Sequence, residues 1–126
     1  MGVSKEETAR FLAARRERRS RHLRELERRA NEDARRIIEF LIERYHPTRV
    51  YQWGSLLKPG EFREWSDIDV ALEGLTDPLD GLRAADDAAS MTDFPVDVVE
   101  LDRIDPRHAS TIREEGRLVH DATTGD

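Results

Sequence analysis

Cysteine is absent from the 126-residue chain, which excludes disulfides, thiolate metal sites and cysteine nucleophiles. No apolar run approaches the roughly 20 residues of a membrane span. The first residues, MGVSKEETARFL, hold no signal-peptide core, so the expectation is a cytoplasmic protein with no membrane association. Aromatic residues are scarce at 6%, and in the arginine-rich first thirty residues Phe11 stands alone. Base-stacking surfaces need aromatics interleaved with the cations, so direct nucleic-acid binding is not expected of this chain. Internal repeats are also missing.

What is present is charge, at 38% of residues, unevenly distributed. Residues 1–45 carry 13 Lys/Arg against 9 Asp/Glu, whereas residues 46–126 carry 8 against 18. A basic arm is thus joined to an acidic body. Such a body repels phosphate unless cations intervene; such an arm is most often a solvated helix face, and otherwise suits a second copy of the chain, another protein or a polyanion.

The chain length fits one domain. Ser4-x-x-Glu7 reads as a capping box that opens a helix. From Lys5 to Ala30 apolar positions are sparse, and then Ala30, Ala34, Ile37, Ile38, Leu41 and Ile42 form a dense stripe at helical spacing. Asn31-Glu32-Asp33 fits either the cap of a second helix or the interior of one long helix. The helical pattern should stop near His46-Pro47. Strands are expected at 49–53, 67–72, 96–101 and 117–120. Helices are expected from Pro78 to about Ser90 and from Asp105 to Gly116, with Gly116 in a left-handed terminal position. This order implies an α+β (mixed α/β) fold: a small mixed β-sheet flanked by helices. The division expected is a basic helical extension over 1–30 and a folded domain over 31–126.

Three carboxylates stand out. Asp67 and Asp69 alternate with Ile68 and Val70, so on a strand both acids share one face while the apolar residues enter the core. Asp97 sits likewise between Val96 and Val98. On neighbouring strands the three would converge. Two carboxylates about 4 Å apart repel by roughly 4 kcal/mol at an effective dielectric of 20. A cluster of this kind takes up protons or recruits hard cations such as magnesium. Upstream, Gly54-Ser55 follows a strand directly, where a glycine admits a phosphate to the backbone and a serine adds a hydroxyl.

Gly54-Ser55, an eleven-residue spacer and Asp67-Ile68-Asp69 together resemble the G-S-x(about ten)-D-x-D signature of polymerase-β-type nucleotidyltransferases. The form GSLLKPGEFREWSDIDVALEG is most similar to the minimal nucleotidyltransferase (MNT) antitoxins. FPVDVVELDRIDP and IREEGRLVHD resemble that family's third-carboxylate strand and its terminal helix and strand. The likeness spans roughly residues 31–121. Leu56 and Leu57 depart from it, since many members have GSRA or GSFA.

The resemblance implies a polymerase-β-like nucleotidyltransferase core and an activity that transfers AMP from ATP, with two Mg²⁺ ions. Gly54 and Ser55 would hold the triphosphate, and Lys58 would touch phosphate. Asp67 and Asp69 would ligate both ions, and Asp97 would complete one metal site and help deprotonate the acceptor. The implied acceptor is a tyrosine on a HEPN-type toxin, silenced by adenylylation, with homo-oligomerisation through the N-terminal helix as a further option. Two other readings are an antitoxin that acts by binding alone and a small-molecule adenylyltransferase. The short chain counts against the latter, because those enzymes usually add a substrate-binding domain. Trp53 and Trp65 read as packing residues, and His46, His108 and His120 as surface polar groups. Arg16 and His22 share the R-x5-H spacing of HEPN ribonucleases, a coincidence in a chain with no room for that helical bundle.

Overall fold

The computed structural model describes residue 2 and residues 4–124. One helix, α1 (Lys5–Tyr45), runs unbroken through Asn31 and past residue 30. Nothing between Lys5 and Tyr45 interrupts it, because the segment contains neither glycine nor proline. Ser4 caps it, its hydroxyl accepting from the Glu7 amide at 3.0 Å. It ends at His46, a left-handed residue with φ 51°, whose amide bonds back to the Ile42 carbonyl. Forty-one residues at 1.5 Å each make a rod of about 60 Å.

Four strands follow, β1 (Arg49–Trp53), β2 (Ile68–Glu73), β3 (Val96–Glu100) and β4 (Arg117–Asp121), in the spatial order β3-β2-β1-β4. β1 pairs antiparallel with β2 and β4, and β2 pairs parallel with β3. The parallel pair needs a crossover, supplied by α2 (Asp80–Ser90); α3 (Pro106–Glu115) joins β3 to β4. The sheet is mixed and the fold is α+β, as the sequence implies.

Alternation along the strands makes two cores. Val50, Ile68, Val70 and Leu72 pack with the dense stripe of α1 and with Ala84 and Ala88 of α2. On the other face Tyr51 and Ala71 meet Leu101 and, from α3, Ala109 and Ile112. Burying an aliphatic side chain of this size stabilises by roughly 1.5–3 kcal/mol, so the larger first core dominates. By contrast the free half of α1 contributes nothing there: Phe11 is 60% exposed.

Element ends shift by one or two residues, β3 closing at Glu100 and β4 at Asp121, and three differences from expectation matter most. β2 starts at Ile68, one residue late, which leaves Asp67 just outside the strand. α2 starts at Asp80, because Asp77 turns the chain first, its carboxylate accepting from the Leu79 amide at 2.9 Å. Gly116 is not left-handed; its backbone is extended at φ −78° and ψ 177°. A glycine is needed there for closeness, since a Cβ would lie 2.5 Å from the Ile112 carbonyl oxygen and 3.0 Å from that of Gln52.

The spacer between Ser55 and Asp67 is ordered by contact with α1. Phe62 is buried and meets Phe94 edge-on. The Gly60 amide donates to Glu27 at 3.1 Å, and Arg19 donates to Glu64 at 2.9 Å. Contact between α1 and the body therefore begins near Arg19.

Candidate active site

The strand register lines up one row of side chains. Trp53 stands opposite Asp69 in the antiparallel ladder, and Asp69 stands opposite Asp97 in the parallel one. Their neighbours Ile68, Val70, Val96 and Val98 belong to the α1-side core. Trp53, Asp69 and Asp97 therefore share the opposite face, toward α3. Asp67 precedes the strand by one residue and is exposed, as is Asp97 at the sheet edge; Asp69, between them, is half-buried.

Directly after β1 the chain turns against Asp69. Gly54 has φ 85° and ψ −161°, a conformation essentially restricted to glycine. A Cβ there would lie 2.1 Å from Asp69 Oδ2. The Gly54 backbone thus passes against the carboxylate with no room for a side chain. Ser55–Leu57 then form a single 3-10 turn, closed by Leu57 and Lys58 amides donating to the Gly54 and Ser55 carbonyls at 3.2 Å each. Leu56, where the resemblance leads one to expect a different residue, is buried in the main core and anchors this turn. Lys58 is exposed at its end.

Electrostatics single out Asp69. Burial, then the charges of Asp67 and Asp97, push its carboxyl up from 3.8 to about 7. Burial disfavours the anion and both neighbours repel it. Asp69 thus feels the charge of both other acids.

Between the Gly54 turn and α3 lies a groove of about 330 Å³. Gly54, Ser55, Lys58 and Leu57 line one side; His108, Thr111, Ile112 and Glu115, at i, i+3, i+4 and i+7 of α3, line the other. Trp53 joins the two. Its ring meets His108 edge-on with centroids 5.6 Å apart, and its buried Nε1 has no hydrogen-bond partner. An orphan N–H of this kind costs about 1–3 kcal/mol. Sequence reasoning set Trp53 and His108 aside. The available signal was the position of Trp53 immediately before Gly54, on the carboxylate face of its strand; nothing in the sequence pairs it with a helix so far along the chain. Trp65 is 74% exposed and outside the groove.

Residues 34–119 match the model of the nucleotidyltransferase domain family. The chain belongs to that family. Comparison with functionally curated proteins gives no significant match. Among solved structures, this nucleotidyltransferase is similar to a chain of a toxin–antitoxin complex with AMP-PNP, at 24% identity and a TM-score of 0.57, over 69% of this chain and 73% of that one. It is also similar to a chain of the toxin–antitoxin MntA-HepT, at 22% identity and TM-score 0.54, over 74% of each. A third likeness is to a complex of tri-AMPylated Shewanella oneidensis HEPN toxin with MNT antitoxin, at 21% identity and TM-score 0.54, over 75% and 74%. At these identities the likeness is one of fold.

The donor set of this nucleotidyltransferase suits a hard divalent cation: oxygen only, anionic, with no imidazole in the row. Among the described residues no three or more acidic or histidine side chains are drawn together as a ready-made metal cage. Magnesium does not require one, since it keeps several waters and takes further oxygens from phosphate. An open pair of carboxylates, with a third beside it, is compatible with an ion that arrives with its nucleotide.

Proposed function

We propose that this nucleotidyltransferase transfers AMP from ATP to a hydroxyl group of a partner protein, a tyrosine of a HEPN-type toxin, and thereby acts as an antitoxin. The observation that carries the reading is the row Asp69–Asp97, with Asp67 beside it, abutting a glycine turn that cannot hold a side chain. Support for the direction of transfer comes from the similar complexes, one holding AMP-PNP and another a tri-AMPylated toxin.

In this reading Gly54, Ser55 and Lys58 hold the triphosphate. Asp67, Asp69 and Asp97 would hold two magnesium ions, which when bound supply charge neutralisation and Lewis-acid polarisation of the α-phosphate. The chain itself contributes position. The Gly54-Ser55 turn sets the phosphates at the rim beside the acids, and Asp97, exposed at the sheet edge, is placed to help take the proton from an incoming hydroxyl. No side chain is required as a nucleophile: the acceptor oxygen attacks the α-phosphorus directly, the bond from that phosphorus to the α,β-bridging oxygen breaks, and pyrophosphate leaves.

Incubation with α-labelled ATP, Mg²⁺ and the candidate toxin tests this. Label should pass to a toxin tyrosine, and Asp69→Asn should abolish the transfer. A toxin that is neutralised without becoming labelled would put binding alone in its place.

A further inference from the structure

We propose that the free N-terminal half of α1 docks on the outer face of α2 in a second copy of this chain, forming a reciprocal dimer, a contact independent of the transferase reading above. Both surfaces are unpartnered within one molecule. α2 buries Gly81, Ala84 and Ala88 against the body. It therefore turns Leu82, Asp86 and Ala89 outward, with Leu79 just before them. Leu82 is 70% exposed and Leu79 52%. These four positions follow the alternating three- and four-residue spacing of a helix–helix seam. On the arm Phe11 is exposed, and Arg15 and Arg18 follow it at the same kind of spacing.

Charge chooses the occupant. Residues 5–22 hold seven Lys/Arg against three Asp/Glu, so two arms repel each other. Residues 77–97, around α2, hold six Asp against one Arg and attract an arm. Among the described residues Arg10, Arg15, Arg16 and Arg18 make no ion pair, and neither does Asp86. The arm cannot fold back onto α2 of its own chain, because α1 is unbroken from Lys5 to Tyr45 and already meets α2 through Tyr45.

Direction agrees with charge. Tyr45, at the end of α1, donates to Asp87, whereas Thr92, just past α2, donates to Asp33, further back on α1. α2 therefore runs antiparallel to α1. A twofold axis across the rods sets the second arm antiparallel to the first α1, and hence parallel to α2. In that orientation Phe11 against Leu82 brings Arg15 against Asp86, since each pair is separated by four residues, about 6 Å along its helix.

Light scattering over a concentration series tests this with the wild type, Arg15→Glu, Asp86→Arg and the double variant carrying both changes. Arg15 and Asp86 are exposed within helices, so these helix-forming replacements spare the core, and unfolding curves verify that each variant is folded. The wild type should pass from monomer to dimer as concentration rises. Each single reversal should weaken the dimer by about tenfold or more, because symmetry sets like charges together twice. The double variant should return to within about threefold of the wild type, since it restores both pairs with their signs exchanged. A wild type that stays monomeric up to about 1 mM overturns the proposal. So does a dimer that neither reversal weakens, or one that the double variant fails to restore. Capture of a HEPN-type toxin by a monomeric chain, lost in Arg15→Glu, would give the arm to that partner and equally overturn it. None of these readouts depends on AMP transfer, so their failure leaves the transferase reading standing.

Discussion

Asp69 and Glu73 occupy the same face of β2, two alternations apart, and their carboxyl groups are shifted in opposite directions. Both are partly buried, and burial alone raises a carboxylate. Glu73 is nevertheless held below the ordinary glutamate range: burial opposes the shift, but hydrogen bonds from Arg49 at 2.7 Å and Arg113 at 2.8 Å outweigh it. Asp69 has acids for neighbours instead of arginines, and its carboxyl rises to about 7. One strand thus carries a satisfied carboxylate that ties β1, β2 and α3 together and an unsatisfied one that needs a cation or a proton.

Replacing Glu73 by alanine should therefore damage the fold and spare the chemistry. Arg49 and Arg113 lose a shared, largely buried partner, at a cost of about 1–3 kcal/mol. Denaturant unfolding should register the loss, while the affinity of the surviving folded protein for Mg-ATP stays at the wild-type value.

Deprotonation of Asp69 should cost the apo protein stability as pH rises through neutrality. Asp69 binds its proton more tightly folded, at about 7, than at the ordinary 3.8. Its contribution is complete below about 4 and is lost as pH climbs through about 7. Across that window the melting temperature of the wild type should fall relative to that of Asp69→Asn, a comparison that cancels the opposing contribution of carboxylates such as Glu73 that both proteins share. Adding Mg-ATP above neutrality should restore the wild type and leave the variant nearly unmoved. An Asp69→Asn protein that responds to Mg-ATP like the wild type would place the nucleotide elsewhere.

Gly54→Ala should be severe in both respects. The new Cβ meets Asp69 Oδ2 at 2.1 Å, and φ 85° is strained for alanine. Strain of about 1–3 kcal/mol is expected from the backbone alone. Relief requires that the turn leave Asp69 or that the Asp69 side chain rotate out of its place, so any folded fraction should show weakened binding of both Mg-ATP and Mg-tripolyphosphate.

Much of the fold was legible in the sequence because its signals are local. The alternation of Ile68, Asp69 and Val70 decides which side chains share a face, and the stripe from Ala30 to Leu41 decides the buried face of α1. What stayed hidden depends on contacts between distant segments. The register that sets Trp53 opposite Asp69, and the docking of α3 that brings His108 to Trp53, have no local signature. Gly116 shows the same limit. A glycine after a helix suggests a left-handed cap, yet here it answers to the Gln52 carbonyl of another element. Asn31-Glu32-Asp33 left open whether one helix or two precede the sheet, and only the unbroken α1 decides it.

Two truncations should divide α1 by function. The proposal that its basic N-terminal part is a protein-interaction helix concerns a stretch whose residues from Lys5 to His22 are all exposed. A chain starting at Arg19 keeps the Glu64 and Gly60 contacts and should fold and bind Mg-ATP normally, but lose self-association or toxin binding. A chain starting at Asn31 also loses Leu26, Glu27 and Ala30, and should be destabilised by about 2 kcal/mol or more. Salt should weaken any association of the full chain, since exposed charges are screened beyond about 8 Å. Full partner affinity in the shortened chains would show the exposed stretch to be idle.

The long helix also governs how the molecule moves through solution. A compact chain of this length has a radius of gyration of about 14 Å, whereas α1 alone is a rod of about 60 Å. A monomer should therefore diffuse slowly for its 14.6 kDa and elute early on a sizing column. An apparent dimer by elution volume is what an isolated monomer would give, and light scattering, which weighs particles regardless of shape, is the measurement that counts its subunits.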